Sequence, residues 1–366
     1  MKEDITLPKY PPVWFVKITD KFGICLLKIV KRMVPASYVV LEMVQNYWIA
    51  KSIGVAAELD IAESLKDSPK SIKKLAGITN THPDSLYRLM RVLAGQGIFK
   101  EIHHKTFALT PMAMGLFNEE RSMKYMVLHF LSPSSWSMFG EMLHTIKTGE
   151  NAAQKIYGMQ IFAYLKKDPV ASEIYNKAMT NTSYMTCSAI VSAYSFAGIN
   201  DLVDVGGGHG FLLSIILSKH KNMKGIVYDL PHVVNDAKFF FEKFNISDRA
   251  KIEAGDFLES VPSGGDGYLL KNIIHGWDDE QAIHILKNIR EAMLDKGKLI
   301  MIETVIEENN EPSFGKTLDL LMLLGTAGGK ERTRKEFENI LNHSGFKLKK
   351  ITKTVSPFCL IESVKA

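Results

Sequence analysis

The chain has 366 residues, 46% of them hydrophobic and 23% charged, close to the averages of globular proteins, which excludes intrinsic disorder, a collagen-like fibre and a disulfide scaffold. Forty-five Lys and Arg against 40 Asp and Glu leave a net charge of +5, too mild to demand a polyanionic partner. The three cysteines, Cys25, Cys187 and Cys359, are odd in number and far apart, as in a reducing compartment, and offer no metal-ligand spacing. No run reaches the roughly 18–20 apolar residues of a membrane span. Met1-Lys2-Glu3-Asp4 opens no secretory signal, so a cytoplasmic location is expected. At about 150 residues per domain the length predicts two or three domains.

Residues 1–20, with Pro8, Pro11 and Pro12, read as an irregular arm. Phe22 to Met33 reads as a short amphipathic helix, Lys28, Lys31 and Arg32 flanking Leu26, Leu27, Ile29 and Val30. Three basic residues anchor weakly to a membrane surface, so packing on another helix or a second subunit is expected. Residues 36–66 are apolar at helical spacing, with Val40, Met43, Val44, Tyr47 and Ala50 recurring every three or four residues. A short helix around Ser71–Ala76, a second over Pro83–Leu93 and a hairpin over Ile98–Leu109 make a winged-helix arrangement. Its second helix is mostly apolar and carries only Arg88 and Arg91, which favours subunit contact over DNA reading. From Pro111 to about Gly198 the pattern is helical, including Ser135–Thr148 and Pro169–Phe196.

After Asn200 the rhythm becomes strand, loop, helix, strand. Strands are expected at Leu202–Val205, Gly225–Tyr228, Lys251–Ala254, Gly267–Leu270 and Lys298–Ile302, spaced for a parallel α/β sheet with right-handed crossovers. Phe346–Thr352 and Phe358–Val364 are joined by about five residues, too few for a parallel crossover, so an antiparallel pair is expected. The domain expectation is therefore an arm and helix over 1–35, a winged-helix-like domain over 36–115, a helical segment over 116–198, and an α/β domain over 199–366.

The strongest local signal is Leu202-Val203-Asp204-Val205-Gly206-Gly207-Gly208-His209-Gly210-Phe211, an apolar strand running into four glycines in five positions and then an apolar helix. Glycine lets backbone turn tightly and approach a ligand without a Cβ in the way, and ligands bind at the carboxyl ends of such strands. Asp229 ends the second strand, placed to accept hydrogen bonds from a ribose diol. A dinucleotide fingerprint needs its third glycine where this chain has Phe211. The pattern Asp204-x-Gly206-x-Gly208-x-Gly210 instead resembles motif I of S-adenosylmethionine (SAM)-dependent methyltransferases, where an acid beside the loop suits the ammonium group. Asp256 and Phe257, after the third strand, suit an adenine amino group and ring face, and Lys271 closes the fourth with a cation.

His275 follows Lys271 by four residues, above the crevice such a sheet forms. Asp278 and Gln281 form a helix-capping pair, a structural task that removes Asp278 from the chemistry. Glu303 ends the fifth strand, where an unpaired carboxylate is costly, and His275 at a nearby strand end is available to it. Glu331 lies in the loop Gly328-Gly329-Lys330-Glu331-Arg332-Thr333, just before a capping box formed by Thr333 and Glu336.

Together, Asp204 to Gly208, Tyr228-Asp229-Leu230-Pro231, Gly255-Asp256-Phe257, Leu270 to Trp277 and Gly328 to Thr333 resemble the plant-type small-molecule O-methyltransferases. That group contains caffeic acid, isoflavone and hydroxyindole O-methyltransferases and bacterial relatives in polyketide tailoring, and the similarity covers about residues 40–366. The resemblance implies a mostly helical N-terminal winged-helix-like dimerisation domain and a C-terminal Rossmann-like class I methyltransferase domain, its parallel sheet ending in an antiparallel strand. It implies a homodimer, His275 as general base flanked by Glu303 and Glu331, and no metal. Asp204, Gly206, Gly208, Asp229, Leu230, Asp256, Phe257 and Lys271 match cofactor contacts. The segment Tyr175 to Ser183 matches the family's F-N-x-x-M stretch, placing Met179 beside the acceptor and Ser183 beside the cofactor. Many plant members carry an acid after the histidine; this chain has Gly276.

The activity expected is transfer of the SAM methyl group to a phenolic or enolic hydroxyl of an aromatic or polyketide-like small molecule, leaving S-adenosylhomocysteine (SAH). Phe130, Trp136, Phe162, Met179 and Met322, with Met138 and Leu323, are the candidate lining of a flat, apolar acceptor pocket. Neither nucleic acid nor a membrane span is expected. Two other readings use the same elements: an N-methyltransferase or SAM-assisted non-methylating tailoring enzyme, and a winged-helix regulator with a vestigial glycine loop.

Overall fold

The computed structural model describes residues 10–234 and 236–366. The start of the expected arm, with Pro8, lies outside the described residues. The chain forms two compact units, Trp14–Ser137 with Asp168–Thr182, and Met138–Lys167 with Ser183–Ala366 and the described residues before Trp14.

In the former unit, the first helix runs over Val13–Met33 and so starts well before the expected Phe22. Pro11 and Pro12 directly precede it, where a missing N–H costs no helical bond and a fixed φ favours helix entry, so the prolines open the helix rather than prevent it. None of its residues is buried: Trp14, Phe15, Ile18, Phe22, Leu26 and Leu27 are exposed. The next helix, Ala36–Glu58, likewise exposes Val40, Leu41, Met43 and Val44. This is more continuous apolar surface than a lone chain normally leaves in water. Helices Ile72–Thr79 and Pro83–Gly95 and the hairpin Phe99–His103 with Thr106–Leu109 follow, and Lys70–Ser71 adds a third, antiparallel strand. Ser71 caps the first of these helices by accepting from Lys74 N at 3.4 Å. Leu86, Met90 and Leu93 point from the second into a core with Leu75, Phe99 and Phe107.

The other unit is built on a seven-stranded sheet: β1 Asp201–Val205, β2 Lys224–Asp229, β3 Ala250–Ala254, β4 Gly267–Lys271, β5 Lys298–Glu303, β6 Phe346–Lys353 and β7 Cys359–Lys365. The strand order is β6-β7-β5-β4-β1-β2-β3. β1 to β5 are mutually parallel, and β7 runs antiparallel to both β5 and β6. Central strands β1, β4 and β5 are almost wholly buried, which is why they read as continuous apolar runs without alternation. One core layer joins Phe211 to Leu217 with Val227, Leu269 and Ile300; the other joins Val205, Leu270 and Met301 with Ile285, Ile289, Phe337 and Ile340. Parallel register brings the carboxyl ends of five strands to one edge, pairing Val205 with Tyr228 and Leu270, Asp229 with Ala254, and Lys271 with Ile302. Among the described residues no helix is long and apolar enough to cross a membrane.

Candidate active site

β1 delivers the chain into the glycine turn. Gly206, Gly208 and Gly210 all have positive φ, at 67°, 58° and 71°. A Cβ on Gly206 would stand 2.4 Å from Ile273 Cδ1, and one on Gly207 would stand 2.8 Å from the Asp204 carboxylate. At Gly208 a Cβ would meet nothing within 4 Å. The first two glycines therefore let the turn lie flat on its own protein, and the third opens it outward. Asp229, at the end of β2, holds the turn by accepting from Gly208 N at 2.8 Å and Leu230 N at 2.7 Å. Asp204 is 2% exposed, and its Oδ2 has no hydrogen-bond partner among the described residues. Burial and the neighbouring Asp229 push its carboxyl up to about 7, against the pull of Lys271 and a backbone amide. Asp229 is also raised, by burial, although its two amide donors oppose this.

Phe257, after β3, lies beside Gly206 and meets Trp277 edge-on with centroids 5.9 Å apart. Asp256 accepts from Leu258 N at 2.9 Å, which fixes the turn on which both sit. Lys271 Nζ is 3.4 Å from Ser183 Oγ; burial lowers its affinity for a proton, while Cys187, Asp204 and Glu303 draw it back. The turn thus joins a buried carboxylate with one unpaired oxygen, an outward-opening glycine, a strand-end carboxylate, an aromatic wall and a half-buried cation. Those residues fit a cationic, amino-acid-bearing nucleoside such as SAM.

His275 sits in a short 3-10 turn, Ile274–Gly276, directly beyond β4, with its side chain 15% exposed. Its Nδ1 is 2.6 Å from Glu331 Oε1 and 3.8 Å from Glu303 Oε2. Both carboxylates are fully buried. The sequence expects Glu303 to find its donor in His275. Instead Glu303 Oε1 accepts from Ile273 N at 3.0 Å and Ile274 N at 2.9 Å, so it holds the backbone that carries the imidazole. Glu331 is the direct partner, and its other oxygen accepts from Thr304 Oγ1 while its amide donates to Asp319 Oδ1 at 2.8 Å. Burial pushes the His275 imidazole down, but Glu303 and the bond and charge of Glu331 outweigh this and raise it above its ordinary value. Glu303 is raised to about 7 by burial and the nearby Glu331, against His275 and two amides. One ligand atom from each of the three lies within 4.8 Å of the others, a spacing a metal ion can also use. The His275–Glu331 bond already accounts for the approach of those two.

Gly329 explains how this meeting is possible: a Cβ there would stand 2.7 Å from His275 O and 2.8 Å from Gly276 C. The loop of Glu331 thus lies flush on the turn of His275. Asp278 accepts from Gln281 N at 2.8 Å as a helix cap, and Thr333 with Glu336 forms a complete capping box. The sequence reading missed Thr304 and Asp319; Thr304 was signalled by following Glu303, whereas nothing local marks Asp319.

The acceptor candidates divide between the units. Phe162 and Met322 belong to the unit of His275, where a Cβ on Gly276 would meet Phe162 at 3.8 Å. Met138 is a core residue there, packed with Ala152, Ala153 and Leu324. Phe130, Trp136 and Met179 belong to the other unit, in which Trp136 packs on Tyr47 with centroids 4.7 Å apart and under Lys51 Nζ at 5.0 Å.

Known proteins resemble the chain over most of its length. Residues 139–347 match the family model of the O-methyltransferase domain, and residues 41–118 that of the O-methyltransferase dimerisation domain. The chain is 37% identical over 332 residues to the phenazine O-methyltransferase of Lysobacter antibioticus, covering 90% of this chain and 96% of that one. It is 32% identical to the mitomycin biosynthesis 6-O-methyltransferase of Streptomyces lavendulae, covering 84% and 88%. The crystal structure of LaPhzM superposes with a TM-score of 0.87 at 37% identity, covering 91% of this chain and 100% of that one. That of CalO1, a methyltransferase of calicheamicin biosynthesis with SAH bound, does so with a TM-score of 0.79 at 29% identity, covering 90% and 98%. The chain belongs to the O-methyltransferase family, as a SAM-dependent O-methyltransferase that carries the family's dimerisation domain.

Proposed function

We propose that this chain methylates a phenolic or enolic hydroxyl of an aromatic or polyketide-like small molecule, with His275 as general base. The 2.6 Å contact of His275 Nδ1 with Glu331 carries the reading. An ionised carboxylate only accepts, so Nδ1 bears the proton and Nε2 is left with its lone pair. A phenol titrates near 10 and is a weak nucleophile at neutral pH until its proton is taken. Nε2 takes that proton as the hydroxyl oxygen bonds to the methyl carbon, and Glu331 stabilises the imidazolium that forms. When bound, SAM supplies the electrophilic methyl on a sulfonium sulfur, whose bond electrons stay with sulfur as SAH leaves.

Asp204, Asp229 and Leu230, Asp256 and Phe257, and Lys271 with Ser183 are the residues proposed to hold the cofactor through its ammonium, ribose, adenine and neighbouring groups, with Gly206 and Gly208 giving backbone access. Glu303 keeps the His275 backbone in place through two amides. Phe162 and Met322 are proposed acceptor contacts, and Gly276 leaves room where many plant relatives carry an acid. The relatives named for phenazine and mitomycin support a fused-ring acceptor. Mass spectrometry of cell extract incubated with the protein and methyl-labelled SAM tests this: an aromatic hydroxyl should gain the label. Labelling only of nitrogen, or no labelling with SAM consumed, would favour the other tailoring chemistries. His275→Ala should abolish turnover and leave SAM affinity within a few-fold.

A further inference from the structure

Arg332 is fully buried, yet it carries a permanent charge. Its guanidinium engages five acceptor contacts, matching its five N–H donors. Nη1 donates to Ile274 O at 3.0 Å and to Lys330 O at 3.4 Å; Nη2 donates to Trp277 O at 2.9 Å and to Asp279 Oδ1 at 2.8 Å; Nε donates to Asp279 Oδ1 at 3.0 Å. Ile274 and Trp277 bracket His275, and Arg332 follows Glu331 in the chain. Its backbone pairs with Val305, two residues beyond Glu303. A single residue is thus tied to the turn of the imidazole, to the loop of its partner carboxylate and to the extension of β5.

An ion pair of this kind, in which the arginine is buried but the Asp279 side chain is 40% exposed, is a weak source of stability, since apolar side chains of equal volume often do as well. What an apolar residue does not provide is a planar fork that fixes two carbonyls of one turn relative to a neighbouring segment. We propose that Arg332 is a positioning residue that holds the His275 turn against the Glu331 loop, so that Nδ1 meets its carboxylate and Nε2 keeps its lone pair free for the acceptor proton. This rests on the reading of His275 as general base.

The test is an NMR titration of isotopically labelled histidine in the full chain, with the His275 signal assigned from its loss in His275→Ala, and melting temperature measured alongside. In the wild type, His275 should be the Nδ1–H tautomer with a midpoint above 6.5. In Arg332→Met the midpoint should fall toward 6.5, with a mixture of tautomers. Arg332→Lys, which retains the charge but cannot span both carbonyls, should move the same way and serves where the Met variant does not fold. A variant that melts lower but titrates as the wild type would overturn the positioning role. A wild type found as the Nε2–H tautomer would instead overturn the base assignment itself.

Discussion

His275 and Glu331 are 56 residues apart in sequence, yet Nδ1 and Oε1 stand 2.6 Å apart with the carboxylate wholly buried. Such a bond sets the ring tautomer and raises its proton affinity at the same time. Replacing Glu331 by Gln keeps the shape but lets the amide donate, which permits the inactive tautomer. Turnover in Glu331→Gln should fall by about 10²–10⁴-fold with little change in SAM binding, as read by steady-state kinetics and calorimetry. Glu303→Gln, which touches the backbone rather than the ring, should lose less.

The pH dependence follows from the direction of the His275 shift. A base works only when deprotonated, and this one holds its proton more tightly than the ordinary 6.5. The wild-type kcat/KM should therefore fall with decreasing pH along a limb that lies above 6.5. A limb near 5 would contradict the raised imidazole.

Asp204 gives a prediction about stability. Its folded pKa of about 7 is above the ordinary 3.8, so the folded state binds the extra proton between those values. Its contribution to stability is present at low pH and lost as pH rises toward 7. Without ligand, Asp204→Asn should match the wild type near pH 4 and melt several degrees higher at pH 8. The same variant should bind SAM about 10- to 100-fold more weakly.

Gly329 has no room for a methyl group, because the atoms it would strike include His275 O and Gly276 C. Backbone cannot swing aside as a side chain can, so Gly329→Ala should cost about 1–3 kcal/mol in stability. Its kcat should drop as well, because the two segments would separate. Denaturant unfolding and single-turnover kinetics check both halves.

The exposed apolar residues Leu41, Met43 and Val44 of helix Ala36–Glu58 lie in the segment that matches the dimerisation domain. Val44→Glu should shift the protein from dimer to monomer in light scattering at micromolar concentration. Dialysis against EDTA should leave methyl transfer unchanged, since no step above uses a metal.

Much of this was legible in the sequence because the α/β strands are short apolar runs bounded by glycine and charge. All seven strands of the large sheet lie within two residues of their expected bounds. The start of the first helix was not legible, because two prolines look the same whether they end a coil or open a helix. At the site, strand-end position points to His275 and Glu303 and the family resemblance adds Glu331, but the sequence sets His275 beside Glu303 and does not show that Glu331 is the acid that meets the ring. That depends on where the loop after Gly328 folds back, a contact distant in sequence. Arg332 was equally hidden, because most of its acceptors, at residues 274, 277 and 279, are more than 50 residues away in sequence.

β7 lies between β5 and β6, with Cys359 in register opposite Glu303. The strand that ends in Glu303 is therefore covered along one edge by a segment that lies far downstream in the chain. A nascent chain stalled before residue 359 would display the glycine turn and the histidine, yet leave one flank of β5 open to water. A chain cut before Cys359 should therefore lack activity, because the edge of β5 that ends in Glu303 would stay unpaired.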